Sequence, residues 1–208
     1  MEIIAITVCV NYHDILAHML EQNSKFLYKW IIVTSPEDKN TITLVETSGK
    51  DNIKLLLYTD FHKNRAKFNF GGARLFAQNY VKDTWPSANI LLLDGDIYLP
   101  DHFAEKLPPA LEDNTLYGAN RTDYWTVNDF EKGTHPHPHR DDYFFGFFQL
   151  YKQNDRYMYA DSINCARCDV YFRDKFPKRI KLDLCLKHLG RNGPNWNGRN
   201  YNDGIFKK

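Results

Sequence analysis

Two aspartates separated by one glycine, Asp94-Gly95-Asp96, directly follow the apolar run Ile90 to Leu93. Four apolar residues that end at a turn predict a buried strand, so both carboxylates are expected at its exit. In an extended segment, residues i and i+2 point to the same side, which lets both carboxylates face one cation or one sugar. Gly95 has no side chain, and a ligand can therefore approach the backbone there. Such a pair suits Mg2+ or Mn2+, with a substrate phosphate completing the shell.

A second polar element lies near the end of the sequence. His188 follows the alternating stretch Ile180 to Leu186, which predicts a strand with one apolar face. As a third ligand beside the two aspartates, its imidazole favours Mn2+ over Mg2+. Gly190 lets the backbone approach a phosphate, and Arg191 can pair with phosphate oxygens. A metal held here would stabilise a departing diphosphate, as the transfer of a sugar from a nucleotide diphosphate requires.

Other histidines and cysteines have competing interpretations. Cys165-x-x-Cys168 and Cys185-x-x-His188 have the spacing of a Cys3His zinc site. However, the first pair lies in a stretch without Gly or Pro, and the second spans opposite faces of a predicted strand. Reduced, mostly buried thiols in a reducing compartment are therefore favoured. The His/Pro segment 133–139 is interpreted as a loop that is exposed to solvent or faces an acceptor, rather than as a metal site.

The elements that must position these residues alternate through the first hundred residues. Apolar runs predict strands over 3–10, 30–33, 53–58 and 90–93, and helical spacing predicts helices over 15–23 and 71–82. This alternation predicts an α/β fold with a mainly parallel central sheet flanked by helices, in a single domain. Residues 1–100 form the expected nucleotide-binding half, and 101–208 form the acceptor-side half with a C-terminal loop.

The second half has less regular patterns. They predict a short helix from Asp101 to Pro108, strands over 115–119, 144–151 and 180–188, and a helix over 162–176. Ligands of open parallel sheets bind outside the carboxyl ends of the strands. Asn11, Thr34, Asp60 and Asp94 all follow predicted strands, so they are expected at one edge.

Composition excludes some classes of protein. The 208 residues suffice for one full domain. With 27 basic and 26 acidic residues, the chain lacks the basic excess of a nucleic-acid binder. No apolar run approaches the roughly 18 residues of a membrane span. The apolar start, residues 1–10, lacks a basic region before it and is interpreted as a strand, which predicts a cytoplasmic protein.

Three motifs together resemble the GT-A-fold glycosyltransferases: a leading strand that ends near Asn11-Tyr12, the Asp94-Gly95-Asp96 signature, and the late His188-x-Gly190 element. The tail from His188 to Trp196 is similar to the His-Gly-Lys-Pro-Trp tail of some retaining members, with different spacing and with Arg191 instead of a lysine. The order of elements also resembles the compact glycosyltransferase domains of large algal viruses. This resemblance would imply that the protein is located in the cytoplasm of a host cell.

The resemblance implies roles for residues along the first half. The segment from Thr7 to Tyr12 would hold the base and ribose, with Tyr12 stacking on the base. Asp38 or Asp60 would bond to uracil or ribose, and the helix start at Gly71-Gly72 would receive phosphate or ribose. Metal ligands would be Asp94, Asp96 and His188. The residues expected at the nucleotide are Thr7, Cys9, Asn11, Tyr12, Asp38, Asp60, Lys67, Arg74, Asp94, Gly95, Gly190 and Arg191.

The reacting groups depend on whether the enzyme inverts or retains the configuration of the sugar, and the sequence leaves both open. An inverting enzyme needs a carboxylate base near the acceptor hydroxyl, for which Asp169, Asp141 and Asp142 are candidates. For Asp169 the alternative is a helical ion pair with Arg173. In a retaining enzyme, Gln149 would sit under the sugar.

The sequence therefore predicts a hexosyltransferase that uses Mn2+ or Mg2+ and a nucleotide sugar, expected to be a UDP-sugar, with a glycan or glycoprotein hydroxyl as acceptor. One alternative is another metal-dependent phosphoryl enzyme, a phosphatase or a nucleotidyltransferase. No aspartate directly follows Val10, where a nucleophile would be expected. The other alternative is a non-enzymatic carbohydrate-binding module that uses the many Tyr and Trp residues.

Overall fold

Strand β1, Ile3–Val8, lies at the centre of the parallel part of the sheet, and all of its residues are buried. β2 (Lys29–Thr34) and β4 (Asn89–Leu93) flank it in parallel, and β3 (Ile53–Leu57) extends the sheet beyond β2. Alternate residues of β1 enter two separate core clusters, Ile3 on one face and Ile4 on the other. A strand that is apolar on both faces requires cover on both faces.

Helices supply that cover in this computed structural model, which describes residues 1–138, 144–161 and 167–190. Apolar side chains of α1 (His13–Asn23) and α2 (Lys39–Thr47) join the cluster that contains Ile3. Apolar side chains of α3 (Phe70–Thr84) and α5 (Cys168–Arg173) join the cluster that contains Ile4. Helix α4 (Val127–Lys132) contributes Phe130 to the first cluster. The sheet is thus buried between two helical layers.

The second half continues the same sheet with mixed strand directions. β8 (Phe148–Lys152) is antiparallel to both β4 and β6 (Thr115–Tyr124), and β9 (Lys178–Leu189) is parallel to β6. β5 (Ile97–Tyr98) pairs with β9, and β7 (His137–Pro138) pairs with β6, both antiparallel. The order is β3-β2-β1-β4-β8-β6-β9-β5. β6 and β9 therefore run in the direction of β1 to β4, and their carboxyl ends share one edge.

The expected fold class is confirmed: helices flank a sheet whose first four strands are all parallel. The alternation in β9 is also confirmed, since Leu184, Leu186 and His188 are buried while Cys185 is exposed. Several details differ. Helices α2 and α4 and strand β5 were not predicted. β6 extends to Tyr124, the strand predicted over 144–151 begins at Phe148, and the predicted loop 133–139 contains β7. The helix expected from Asp101 is instead the short 3-10 turn Ala104–Lys106.

The predicted helix over 162–176 is described only from residue 167 onward, where its helical part is α5. In the described residues, no helix combines the length and the apolar character needed to cross a bilayer.

Candidate functional site

The Asp94-Gly95-Asp96 segment forms a turn, in which the backbone N–H of Ile97 donates to the carbonyl oxygen of Asp94 (3.2 Å). The segment is therefore a turn and not the extended segment that the sequence predicted. A Cβ on Gly95 would lie 2.9 Å from Cε2 of Tyr12. The glycine is thus explained by close packing against Tyr12, where the approach of a ligand had been predicted.

Asp94 pairs with a buried arginine. Nη2 of Arg74, in the first turns of α3, donates to Oδ1 of Asp94 and to the carbonyl oxygen of Gly146, both at 2.7 Å. Nη1 donates to the hydroxyl of Tyr159 (2.6 Å), and the guanidinium lies 4.3 Å from the ring centroid of Phe70. Arg74 is fully buried. Because a planar guanidinium bonds to several acceptors in fixed directions, it holds Asp94 in one orientation.

The charge state of Asp94 reflects its surroundings. Loss of hydration raises its pKa to about 7, Arg74 opposes this rise, and the carboxylates of Asp96 and Asp169 add to it. Gly146 links Asp94 to Asp169, because its carbonyl oxygen accepts from the same Arg74 nitrogen that binds Asp94 and its N–H donates to Oδ2 of Asp169 (3.1 Å).

Asp96 belongs to a chain of buried side chains. Nε2 of His188 lies 3.3 Å from Oδ2 of Asp96, and Nδ1 lies 2.8 Å from Oδ1 of Asp123. Asp123 and His188 are directly opposite in the β6–β9 pair, so the strand register sets this contact. Burial by itself lowers the pKa of His188, but the charge of Asp96 and the hydrogen bonds with both aspartates raise it to about 9. The imidazole thus lies between two carboxylates.

Arg121 extends the chain. Its Nε lies 3.0 Å from Oδ1 of Asp123, and its guanidinium stands 4.7 Å from the ring centroid of Phe147. Both side chains of the Arg121–Asp123 pair are at least nine-tenths buried. A carboxylate on one ring nitrogen of a histidine fixes the ring orientation and directs the other nitrogen at a ligand. Asp123 is placed to do this for His188.

The donor set partly fits the expected cation. Carboxylate and imidazole are suitable ligands for Mn2+, and Asp96 and His188 lie side by side. Oδ1 of Asp94 instead bonds to Arg74. Among residues 1–138, 144–161 and 167–190, no group of three or more His, Cys, Asp or Glu side chains is arranged to hold a metal, which also covers Cys168 and Cys185. Two protein ligands with phosphate oxygens and water are a normal shell for such ions.

Three residues expected at the base and ribose are buried: Thr7, Cys9 and Tyr12. The hydroxyl of Thr7 donates to the carbonyl oxygen of Leu93 (2.8 Å), and that of Tyr12 donates to the carbonyl oxygen of Val8. Burial raises the pKa of the Cys9 thiol. These groups hold the end of β1 in place, and stacking of a base on Tyr12 would require the ring to leave its present position.

Asp38 and Asp60 differ in accessibility. Asp38 is buried and accepts hydrogen bonds from the N–H of Asn11 (2.7 Å) and from the hydroxyls of Thr34 (3.1 Å) and Thr41 (2.6 Å). It also caps α2 through the N–H of Thr41. The side chain of Asp60 is 45% exposed. Asp38 therefore orders the loop after β1, and Asp60 is the more accessible of the two.

A carboxylate occupies the predicted phosphate position at the start of α3. Asn69 caps this helix through the N–H of Gly72 (3.0 Å), and its Nδ2 donates to Oδ1 of Asp161 (2.6 Å). A Cβ on Gly72 would lie 2.7 Å from that same oxygen. An anion suits the positive end of a helix, and Asp161 supplies one. Of the residues predicted around this position, Lys67 is exposed to solvent and Phe68 is buried.

The predicted reacting groups have different environments. Asp169 is half-buried, and its Oδ2 accepts from the N–H of Gly146 (3.1 Å), next to the carbonyl that binds Arg74. Gln149 is fully buried and accepts from the hydroxyl of Tyr159 (2.8 Å) while its Nε2 donates to two carbonyl oxygens. Asp169 is thus the more accessible candidate. Asp141, Asp142 and Arg191 lie outside the described residues.

Sequence reasoning missed Asp123, Tyr159 and Asp161. The prediction ended β6 at Ala119, so Asp123 was not recognised as a residue at the carboxyl end of a strand. At that end, the N–H of Gly190 donates to the carbonyl oxygen of Tyr124 (2.9 Å). This bond brings the predicted phosphate-binding glycine to the same edge. No local pattern marks Tyr159 or Asp161, because both act on α3 from a distant loop.

The known proteins that match are solved structures. No family model matches the sequence, and no curated protein does. A 4-diphosphocytidyl-2C-methyl-D-erythritol synthase from Anaerococcus prevotii is similar at a TM-score of 0.53 and 15% identity, over 88% of this chain and 87% of the other. At that identity the likeness establishes the fold alone, and it agrees with an α/β fold built on a mainly parallel central sheet.

Two further structures are similar more weakly. The galactosyltransferase LgtC, in complex with donor and acceptor sugar analogues, has a TM-score of 0.45 at 16% identity, over 72% of this chain and 57% of LgtC. HddC from Yersinia pseudotuberculosis has a TM-score of 0.45 at 12% identity, over 91% of both chains. The resemblance to viral glycosyltransferase domains stays a prediction from the sequence.

Proposed function

We propose that this protein is a metal-dependent glycosyltransferase of the hexosyltransferase type, which moves a sugar from a UDP-sugar to a hydroxyl of a glycan or glycoprotein. The observation that carries the proposal is the buried pair of Asp96 and His188, 3.3 Å apart at the carboxyl edge and oriented by Asp123. A buried titratable group whose pKa is shifted by a specific charge partner marks a candidate functional site, and His188 beside Asp96 is such a group.

The reaction requires positive charge beside the departing diphosphate. Asp96 and His188 would hold the Mn2+ or Mg2+, which when bound neutralises the negative charge that develops on the leaving group. Arg74 holds Asp94 through Oδ1, which leaves Oδ2 to face a ribose hydroxyl or the ion. Since Arg74 is fully buried, its role is to position Asp94 rather than to contact the donor.

Asp169 is the candidate for the acceptor proton. Its carboxylate is half-buried, is fixed by the N–H of Gly146 and lies within electrostatic reach of Asp94. A general base must lie within hydrogen-bond distance of the proton that it removes. In the proposal, the acceptor oxygen bonds to the anomeric carbon of the sugar, its proton passes to Asp169, and the bond from that carbon to the diphosphate breaks, which releases UDP.

Calorimetry with UDP tests the donor site. We expect wild type to bind UDP more tightly with Mn2+ than without it, and Asp96→Ala to lose this metal-dependent part. Asp183→Ala is the matched control, because Asp183 lies on β9 with a 94% exposed side chain. Unchanged UDP affinity in Asp96→Ala, with Mn2+ present, would refute the assignment. Release of UDP from a panel of UDP-sugars then identifies the donor.

A nucleotidyltransferase is the second candidate. The observation in its favour is the fold likeness to the A. prevotii synthase, which spans nearly the whole of both chains. Such an enzyme would release pyrophosphate from CTP or UTP in the presence of a sugar phosphate or polyol phosphate. Release of pyrophosphate without release of UDP from any UDP-sugar would replace the first proposal with this one.

A further inference from the structure

An aromatic pair stands immediately after β6. The rings of Trp125 and His137 are stacked, with centroids 3.8 Å apart and an interplanar angle of 10°. The side chain of Trp125 is large and apolar, yet Trp125 remains 41% exposed. Trp30 illustrates the alternative, since its ring is fully buried in the core. Exposing a tryptophan while backing it with a stacked imidazole is an arrangement that the core does not require.

Both partners of the pair are tied to the strand that carries Asp123. His137 lies in β7, where it pairs directly with Asp123 of β6, and Trp125 follows two residues after Asp123. Asp123 in turn contacts His188 across β9. The pair is therefore connected to the Asp96–His188 site through backbone pairing, and the stack keeps its position relative to that site.

The connection between the two rings is also held in place. Oδ1 of Asp129 lies 2.8 Å from Nδ1 of His135 and accepts from the hydroxyl of Thr134 (2.9 Å). Oδ2 accepts from the hydroxyl of Thr126 (2.7 Å), which also caps α4 through the N–H of Asp129 (3.1 Å). One carboxylate thus links the segment after Trp125 to the segment before His137. This link pre-organises the stacked pair.

We infer that Trp125, supported by His137, is the platform on which a pyranose ring of the acceptor lies. One face of a pyranose carries several polarised C–H groups, and the face of an indole ring is negative, so the two attract and exclude water between them. The inference rests on the proposed function. It assumes that the acceptor binds at the carboxyl ends of β6 and β9 and that the donor binds at the carboxyl ends of β1 to β4. A rigid ring loses little conformational entropy when it binds a sugar.

Sugars fit this position better than a nucleotide base does. The base and ribose are expected near Asn11 and Asp60, after β1 and β3, and β4 and β8 separate those strands from β6. A second nucleotide has no role in the proposed reaction, whereas an acceptor must bring its hydroxyl to the Asp96–His188 site.

Saturation-transfer NMR with three simple glycosides tests the inference: methyl β-D-glucopyranoside, methyl β-D-galactopyranoside and methyl α-D-mannopyranoside. We expect at least one to bind wild type, Trp125→Ala to weaken that binding at least about fivefold, and Trp125→Phe to retain most of it. Tyr28→Ala is the matched control, since Tyr28 is a 45% exposed aromatic residue just before β2, at the opposite edge. Thermal unfolding verifies that each variant is folded.

The outcomes separate the platform from the donor site. Weakened glycoside binding in Trp125→Ala with unchanged UDP affinity in Mn2+ supports the inference. The inference is overturned if wild type and Trp125→Ala bind the glycosides equally well. It is also overturned if wild type binds none of the three at glycoside concentrations on the order of tens of millimolar. Glycoside binding that needs Trp125 in a protein that does not bind UDP keeps the platform and rejects the transferase. Binding of phosphatidylcholine vesicles through Trp125 without any glycoside binding would identify a membrane contact and overturn the inference.

Discussion

Replacing Arg74 by methionine tests whether one buried cation holds the candidate site together. Methionine fills a similar volume without the guanidinium. The substitution removes hydrogen bonds to Asp94 and Tyr159 and to the carbonyl oxygen of Gly146. Removing one partner of a buried ion pair costs about 3–5 kcal/mol. The Gly146 carbonyl and the Tyr159 hydroxyl each lose a donor, at about 1–3 kcal/mol per buried group.

Asp94 moderates this loss, because its side chain is 32% exposed and can be hydrated when Arg74 is absent. We therefore expect Arg74→Met to lower the free energy of unfolding by about 3–5 kcal/mol. At about 2–4 °C per kcal/mol for a chain of this size, Tm should fall by roughly 6–20 °C.

Urea unfolding followed by circular dichroism measures the change directly. Arg179→Met is the control, because Arg179 pairs at 3.3 Å with Asp174 on the surface and its side chain is 40% exposed. An exposed pair contributes at most about 1 kcal/mol. If the free energy of unfolding of Arg74→Met lies within about 1 kcal/mol of the wild-type value, the guanidinium does not organise the site. The reasoning from its three acceptors then fails.

Three further perturbations test separate parts of the structure. Asp123→Asn should weaken Mn2+ affinity, measured by electron paramagnetic resonance, by roughly 10–100-fold, because a neutral amide orients His188 less firmly; unchanged affinity would exclude this role. Gly95→Ala should destabilise the fold by about 1–3 kcal/mol in urea unfolding, since its Cβ would lie 2.9 Å from Tyr12; a neutral effect would contradict the packing argument. Hydrogen bonds from His135, Thr126 and Thr134 lower the pKa of Asp129 to about 2 from 3.8, so their stabilisation is present above about pH 4 and is lost as pH falls toward 2. An NMR titration should find this low pKa of Asp129 in wild type and a higher one in Thr134→Val. An ordinary pKa of Asp129 in wild type would contradict the hydrogen bonds described for its carboxylate.

Local sequence was sufficient to predict an element where its buried residues recur at a simple interval. The apolar run of β1 and the alternation of β9 each state which faces are buried, and the structure agrees with both. Helix α2 was missed because its threonines and β-branched residues have modest helix propensity. Its side chains Thr41 and Val45 are nevertheless buried, and packing on the sheet stabilises the helix.

The sequence by itself predicted that the Asp94-Gly95-Asp96 segment and His188 each follow a strand of an α/β sheet, and the resemblance grouped them in one site. It also identified Arg74 and Asp169 as polar residues of interest, although without their partners. Only the tertiary structure decided that Asp94 turns to Arg74, that Asp123 stands opposite His188, and that Asp161 lies at the start of α3. Those contacts depend on strand register and on loops that return from distant positions. Periodicity records which face of an element is buried, but it does not record which residue of another element lies against it.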